Sequence, residues 1–214
     1  MTMPLSRQFE LGEAVVSVWK ITETLEELMT LVSDECVGEC RSRFTSEKRA
    51  KEWLAVRALV RLLFGDDMRV MYDVSGKPAL DNSSLCISIS HTDGYAVLAF
   101  SAEYDVGVDV ELFSRNVVVA ARRFMPCEIL EGLSPEQANH AALIHWCAKE
   151  ALFKITGDLG GNFSDNISVA PSCLSMNGTL SLEIVGIDNC SCKLFVGEYV
   201  VDGGLLFVVC RNTK

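Results

Sequence analysis

With 214 residues, 49% of them apolar and 22% charged, the chain has the make-up of a globular protein with a real core, and is too hydrophobic for a disordered one. Its length suits one larger domain or two small lobes. A formal net charge of −10 argues against nucleic acid as the main partner.

The opening "MTMPLSRQFELGE" carries no apolar h-region, which predicts no secretory signal. Runs such as "YAVLAF" and "LLFVVC" are too short to span a bilayer, so neither a membrane nor a membrane partner is expected, and a cytoplasmic location is. Nine cysteines are scattered without a C-x-x-C pair, the pattern of reduced, mostly buried thiols. His140 and His145, five apart, miss the helical spacing of a metalloprotease motif.

The first predicted element is a strand, "AVVSVWKI", followed by a short helix in "TLEELMTLVS". A longer helix is predicted from about Ser46 to Phe64, where Trp53, Leu54, Ala58 and Leu62 recur at helical spacing and Gly65 ends it. Charge is uneven here. From Arg41 to Arg61 seven bases face only Glu47 and Glu52, a local +5 (7 − 2) that leaves −15 for the rest of the chain. A basic island in an acidic protein is either a local anion site or a solvated helix face, and a charge run alone favours the face.

"DVSGKPAL" reads as a turn, with Pro78 disfavouring a helix or a central strand. Three strands follow, "LCISISH", "GYAVLAFS" and "DVGVDVEL", with Asp93-Gly94 as a hairpin turn between the first two. A mixed stretch from Asn116 to Leu133 leads to Pro135, well placed to start a helix that runs to Gly157. The chain then returns to strands in "GTLSLEIVG", "CKLFVGEYVV" and "GLLFVVC". Each half therefore offers a long helix and a small antiparallel sheet. The expected class is α+β, two similar lobes forming a pseudo-dimer, with no clear sequence repeat between them and a ligand cleft at their junction. The division expected is 1–102 for the lobe with the basic helix and 103–214 for the other.

Two segments carry chemistry. In "VGVDVEL" the aliphatic Val106, Val108, Val110 and Leu112 share one strand face, leaving Gly107, Asp109 and Glu111 on the other. Adjacent like charges on one face repel, so they need a reason. In "WCAKEALFK" Trp146, Glu150 and Lys154 fall along one helical stripe. Alone, Glu150 and Lys154 would be an ordinary surface pair contributing about 0.3 kcal/mol. Together, Asp109, Glu111 and Glu150 can offer three oxygens to a hard cation such as magnesium, which fills its other positions with water and phosphate. Lys149 and Lys154 would face those phosphates, the basic island could hold another, and His91 adds a donor near neutral pH.

These segments resemble a 4'-phosphopantetheinyl transferase of the Sfp type, in the holo-acyl-carrier-protein synthase superfamily. "GKP" (Gly76 to Pro78), "SISH" (Ser88 to His91), "GVDVE" (Gly107 to Glu111) and "WCAKEALFK" (Trp146 to Lys154) occur in that family's order and at similar spacing. Two mild departures are valine at 110, where isoleucine is commoner, and Thr92, where serine often follows the histidine.

The resemblance implies magnesium-dependent transfer of the 4'-phosphopantetheine arm of coenzyme A, the co-substrate, to a serine of an apo acyl carrier or peptidyl carrier protein, releasing 3',5'-ADP. It implies magnesium, or manganese in its place, on Asp109, Glu111 and Glu150, with Glu150 as the base or as a ligand only. Lys149 and Lys154 would meet the pyrophosphate or leaving group. Lys77, Pro78, Ser90 and His91 would line the coenzyme A site. Arg57, with Lys48, Arg49 or Lys51 nearby, would take the 3'-phosphate. It further implies a monomer, two small units fused with the site between them, and gives Gly107 the task of clearing space for phosphates. The rival readings are another magnesium enzyme acting on phosphate esters, and a degenerate homologue that binds carrier protein without chemistry.

Overall fold

The computed structural model describes residues 5–157, 166–170, 174–185 and 192–213. In chain order the elements are β1 (Leu5–Leu11), β2 (Ala14–Lys20), α1 (Leu25–Thr30), α2 (Asp34–Arg43), α3 (Glu47–Phe64), β3 (Val70–Tyr72), β4 (Pro78–Leu80), β5 (Cys86–Thr92), β6 (Tyr95–Ser101), β7 (Val106–Leu112), α4 (Pro135–Thr156), β8 (Ile167–Val169), β9 (Asn177–Val185), β10 (Cys192–Asp202) and β11 (Leu205–Asn212). Two 3-10 turns, Val118–Arg123 and Cys127–Leu130, fill the mixed stretch before α4. Among the described residues, no helix is long and apolar enough to cross a membrane.

The strands form two antiparallel sheets, ordered β1-β2-β6-β5-β4-β3 and β7-β11-β10-β9-β8. They lie face to face. Val16, Val18, Val97 and Ala99 of the first sheet pack against Val108, Val110, Phe207 and Val209 of the second. Helix α3 covers the outer face of the first sheet through Leu54, Ala55, Ala58 and Leu59, and α4 covers that of the second through Ala148, Ala151 and Leu152. The four layers are therefore helix, sheet, sheet, helix, as an α+β pair of lobes requires. Truncating one of these buried leucines to alanine would cost about 2–5 kcal/mol.

Local sequence explains the element ends. Ser134 caps α4 reciprocally with Gln137, and Pro135 occupies the first turn, where its missing N–H costs nothing. Helix α3 ends at Gly65 and α4 at Gly157, both with positive φ. Five elements escape the sequence patterns. β4 corrects the reading of "DVSGKPAL" as a turn: Pro78–Leu80 is a strand between β3 and β5, and its pairing with β5 is the single register pair Ala79–Cys86, so the proline's missing N–H breaks no ladder there. β1 runs into a Gly12-Glu13 turn with φ +59° at both residues, a hairpin signal that glutamate conceals. Helix α2 is mostly polar and buries only Cys40. β3 and β8 are three residues each, below the length at which alternation is readable.

Removing β1, the two lobes share one topology: β2-β6-β5-β4-β3 matches β7-β11-β10-β9-β8. Registers agree as well. Trp19 pairs with Ala96, two residues after the Gly94 turn, and Glu111 pairs with Leu206, two after Gly204. Trp19 and Glu111 are separated by the same interval as the helix-ending Gly65 and Gly157 (111 − 19 = 157 − 65 = 92). Side-chain chemistry, not backbone, distinguishes the lobes.

Candidate active site

Asp109 and Glu111 sit on β7, the end strand of its sheet, with side chains turned toward α4. The helix comes very close. A Cβ on Gly107 would lie 1.8 Å from the Ala151 carbonyl oxygen, so no other residue fits there. This corrects the expected role of Gly107: it clears space for the backbone of α4, not for phosphates. The close approach brings Glu150 and Lys154 beside Asp109.

Asp109 is 7% exposed. Its Oδ1 accepts hydrogen bonds from Ser90 Oγ (2.9 Å) and Lys154 Nζ (3.0 Å), and Lys154 also donates to the Val108 carbonyl (2.7 Å). Its Oδ2 is buried without a hydrogen-bond partner. Glu111 accepts from Thr92 Oγ1 (3.1 Å) and is paired with Arg115. Burial, followed by the negative charge of Asp109 against a partial offset from Arg115, raises the Glu111 pKa. Glu150 is raised for the same first two reasons, with Lys154 opposing.

These groups line a cavity of about 500 Å³ together with Tyr72, Gly76, Pro78, Ser88, Ser90, His91 and Trp146. The cavity lies at the junction of the lobes, fed by β3, β4 and β5 on one side and by β7 and α4 on the other.

As the side chains stand, no three His, Cys, Asp or Glu residues among those described are gathered closely enough to hold a metal ion. The reason is visible: Asp109 turns to Lys154 and Glu111 to Arg115. The donor set nevertheless fits a divalent cation. Three carboxylates share one cavity, two have their pKa raised by burial and by the charge of Asp109, and among the described residues a buried carboxylate oxygen lacks a hydrogen-bond partner. An unpartnered buried oxygen of this kind is costly unless something completes it.

The other expected site residues are dispersed. His91 Nε2 is 2.6 Å from Arg49 Nη1 and 3.4 Å from the buried Glu52 carboxylate. Lys48 pairs with Asp93 (2.8 Å), and with Lys51 it lines a shallower cavity outside the acid site. Lys77 pairs with Asp105 (3.0 Å), so only its neighbours Gly76 and Pro78 reach the acid cavity.

Arg57 is buried, with its guanidinium 3.7 Å over the Trp53 ring and donating to the Tyr72 hydroxyl (3.0 Å). It lines a separate cavity of about 690 Å³ under α2, and Tyr72 forms a wall of both cavities. No carboxylate lies within ion-pair distance of Arg57 among the described residues. Lys149 is not brought to the acid cavity. One residue before Glu150 on the helix, it is turned about 100° away, 4% exposed, and lines another cavity with Arg122, Arg123 and His145. There burial, and then Lys149 itself, lowers the His145 pKa to about 4.

A family model described as the 4'-phosphopantetheinyl transferase superfamily matches residues 105–204, which begin just before β7. The 4'-phosphopantetheinyl transferase HetI of Nostoc sp. (strain PCC 7120) is 30% identical over 212 residues, covering 86% of this chain and 88% of its own. The chain belongs to this superfamily. A protein of Synechocystis sp. (strain PCC 6803) named putative 4'-phosphopantetheinyl transferase slr0495 is 27% identical over 130 residues, 54% of this chain and 53% of its own.

With membership comes the general activity, transfer of a phosphopantetheinyl group. The site also contains residues to which the sequence patterns assign no role. Thr92 and Arg115 both bond Glu111, and Arg115 sits four positions after it, a spacing that suggests helix more readily than the turn it occupies. Ser88 lies two residues before Ser90, so strand periodicity places both on one face. Tyr72 stands in a strand of only three residues, where no local signal marks it as a wall.

Proposed function

We propose that this transferase moves the 4'-phosphopantetheine arm of coenzyme A to a serine of an apo acyl carrier or peptidyl carrier protein, acting as a monomer and requiring magnesium. Supporting this reading is one observation above others: Asp109, Glu111 and Glu150 converge with Lys154, Ser90 and His91 on a single inter-lobe cavity. Asp109, Glu111 and Glu150 would hold the cation, which when bound supplies neutralisation of the pyrophosphate charge. The lobe division at 102/103 belongs to the same reading, since each side then furnishes one wall.

The chain's own groups do the rest. The carrier serine oxygen attacks the β-phosphorus, the bond from that phosphorus to the bridging oxygen breaks, and 3',5'-ADP departs. Glu150 takes the serine proton. Lys154 meets the charge that develops on the leaving phosphate, a task for which Lys149 is turned the wrong way. His91 and Arg49 stand at the rim as donors to phosphate. Arg57, a buried cation without a carboxylate partner, takes the 3'-phosphate in the adjoining cavity beyond Tyr72.

The test is a transfer assay with coenzyme A and apo acyl carrier and peptidyl carrier proteins, with magnesium or with excess chelator. Holo-carrier should form only with the metal. Undiminished transfer in chelator would remove the cation from the reading.

A further inference from the structure

The end strand β7 has one edge bonded to β11, and its other edge needs partners for its outward N–H groups. Among the described residues no strand supplies them. Instead the Val108 N–H donates to Ser88 Oγ (3.0 Å) and the Val110 N–H to Ser90 Oγ (3.3 Å), both hydroxyls standing on one face of β5. Ser88 is 2% exposed and Ser90 5%, so water cannot substitute for either. The spacing is matched: serines two residues apart face amides two residues apart, each pair separated by about 6.6 Å along its strand. A slip of β7 by one residue would leave both amides unpaired and turn Asp109 to the wrong face.

We propose that Ser88 is a positioning residue for the transfer reaction, fixing the register of the acid-bearing strand so that Asp109 holds its place in the cavity. The inference rests on the reading that Asp109 is part of the site. The two serines divide the work. Ser90 accepts from Val110 and also donates to Asp109 Oδ1 (2.9 Å), so it touches the acid itself. Ser88 touches only the backbone one residue before it. With Ser90 and Lys154 both on Oδ1, the strand's register decides where the unpartnered Oδ2 is aimed.

Partners that orient a metal-binding carboxylate typically change metal affinity or activity about 10- to 100-fold when removed. Ser88→Ala should therefore weaken manganese binding about tenfold, read by calorimetry or electron paramagnetic resonance on the folded protein. It should lower kcat by a similar factor and leave KM for coenzyme A within about twofold. Ser101→Ala serves as the matched control. That hydroxyl is also buried, donates to the Glu13 carbonyl and accepts from two backbone amides, but lies outside the cavity. It should lower the melting temperature without changing manganese affinity. If Ser88→Ala behaves as Ser101→Ala does, the residue is merely structural and the proposal falls.

Amide exchange of the wild-type protein gives a check that does not depend on a variant folding. The Val108 and Val110 amides should be as protected as those of β7 bonded to β11, and exchange at the rate of exposed amides would overturn the serine seam. Failure of the wild type to bind manganese would instead contradict the cation reading, while the exchange data would still decide whether Ser88 holds β7.

Discussion

β2 and β7 occupy the same place in their lobes and have opposite fates. Both present three aliphatic residues to the space between the sheets, Ala14, Val16 and Val18 on one and Val106, Val108 and Val110 on the other. On the opposite face, position by position, Val15 stands for Gly107, Ser17 for Asp109 and Trp19 for Glu111, while α3 has Ala58 and Leu62 where α4 has Glu150 and Lys154. Ser17 accepts from Gln8 and is fully buried; Trp19 reaches Glu23 at the end of its strand.

The edges differ too. β1 pairs along the outer edge of β2 and reaches the other sheet, Phe9 against Phe207 and Arg7 against Asp202. β7 has only the two serines. One lobe junction is closed by a strand and the other is held by hydroxyls, with a cavity beside it. A duplicated scaffold thus yields one candidate site, because three carboxylates and a lysine occupy positions that the sister lobe fills with Ser17, Trp19, Ala58 and Leu62.

The comparison can be broken by substitution, and the largest effect is expected at the acids. Asp109→Ala or Glu111→Ala should abolish transfer while circular dichroism and melting show an intact fold, since neither side chain belongs to a hydrophobic cluster. An active Asp109→Ala enzyme would make β7 no more catalytic than β2. Glu150→Gln preserves shape and removes both a charge and the base, so single-turnover transfer should slow about a hundredfold or more. Near-wild-type transfer would leave Glu150 with no more chemistry than Ala58, its counterpart on α3.

Arg57→Ala tests the basic helix of the first lobe. Coenzyme A binding should weaken about ten- to a hundredfold, from loss of a charge-assisted hydrogen bond of about 1.5–3 kcal/mol, while dephospho-coenzyme A is little affected. Equal losses measured by calorimetry would show that Arg57 serves Trp53 and Tyr72 instead. Gly107→Ala is expected to show mainly as lost stability, with transfer slowed as far as the displaced α4 carries Glu150 and Lys154 away from Asp109. Its new methyl meets the Ala151 carbonyl, and overpacking of this kind costs about 1–3 kcal/mol. Val15→Ala, at the equivalent place beneath the more distant α3, should cost less; the reverse order in thermal melts would contradict the close approach of α4.

Much of this was legible in the sequence because strong periodicity and punctuation coincide. Leu54, Ala58 and Gly65 mark α3, Pro135 and Gly157 bracket α4, and Asp93-Gly94 turns β5 into β6. The acid face of β7 and the stripe of α4 were also readable, since two- and 3.6-residue periods place Asp109 with Glu111 and Glu150 with Lys154. What periodicity cannot give is how far one element stands from another. Gly107 therefore looked like room for a ligand when it is contact with a helix backbone. For the same reason Lys149 was expected with Lys154 at the phosphates although it lines another cavity, and Arg57 gave no sign of the cavity it lines. The sister relation of Ser17 to Asp109 was hidden because only backbone geometry survives in it.

One lobe junction, and not its sister, is proposed to seat a divalent cation. Counting manganese bound per chain by electron paramagnetic resonance, in wild type and in Asp109→Ala, tests it most directly. The expected result is one ion per wild-type chain and a loss of that binding in the variant. Two equivalent ions per chain, or unchanged binding in Asp109→Ala, would contradict it.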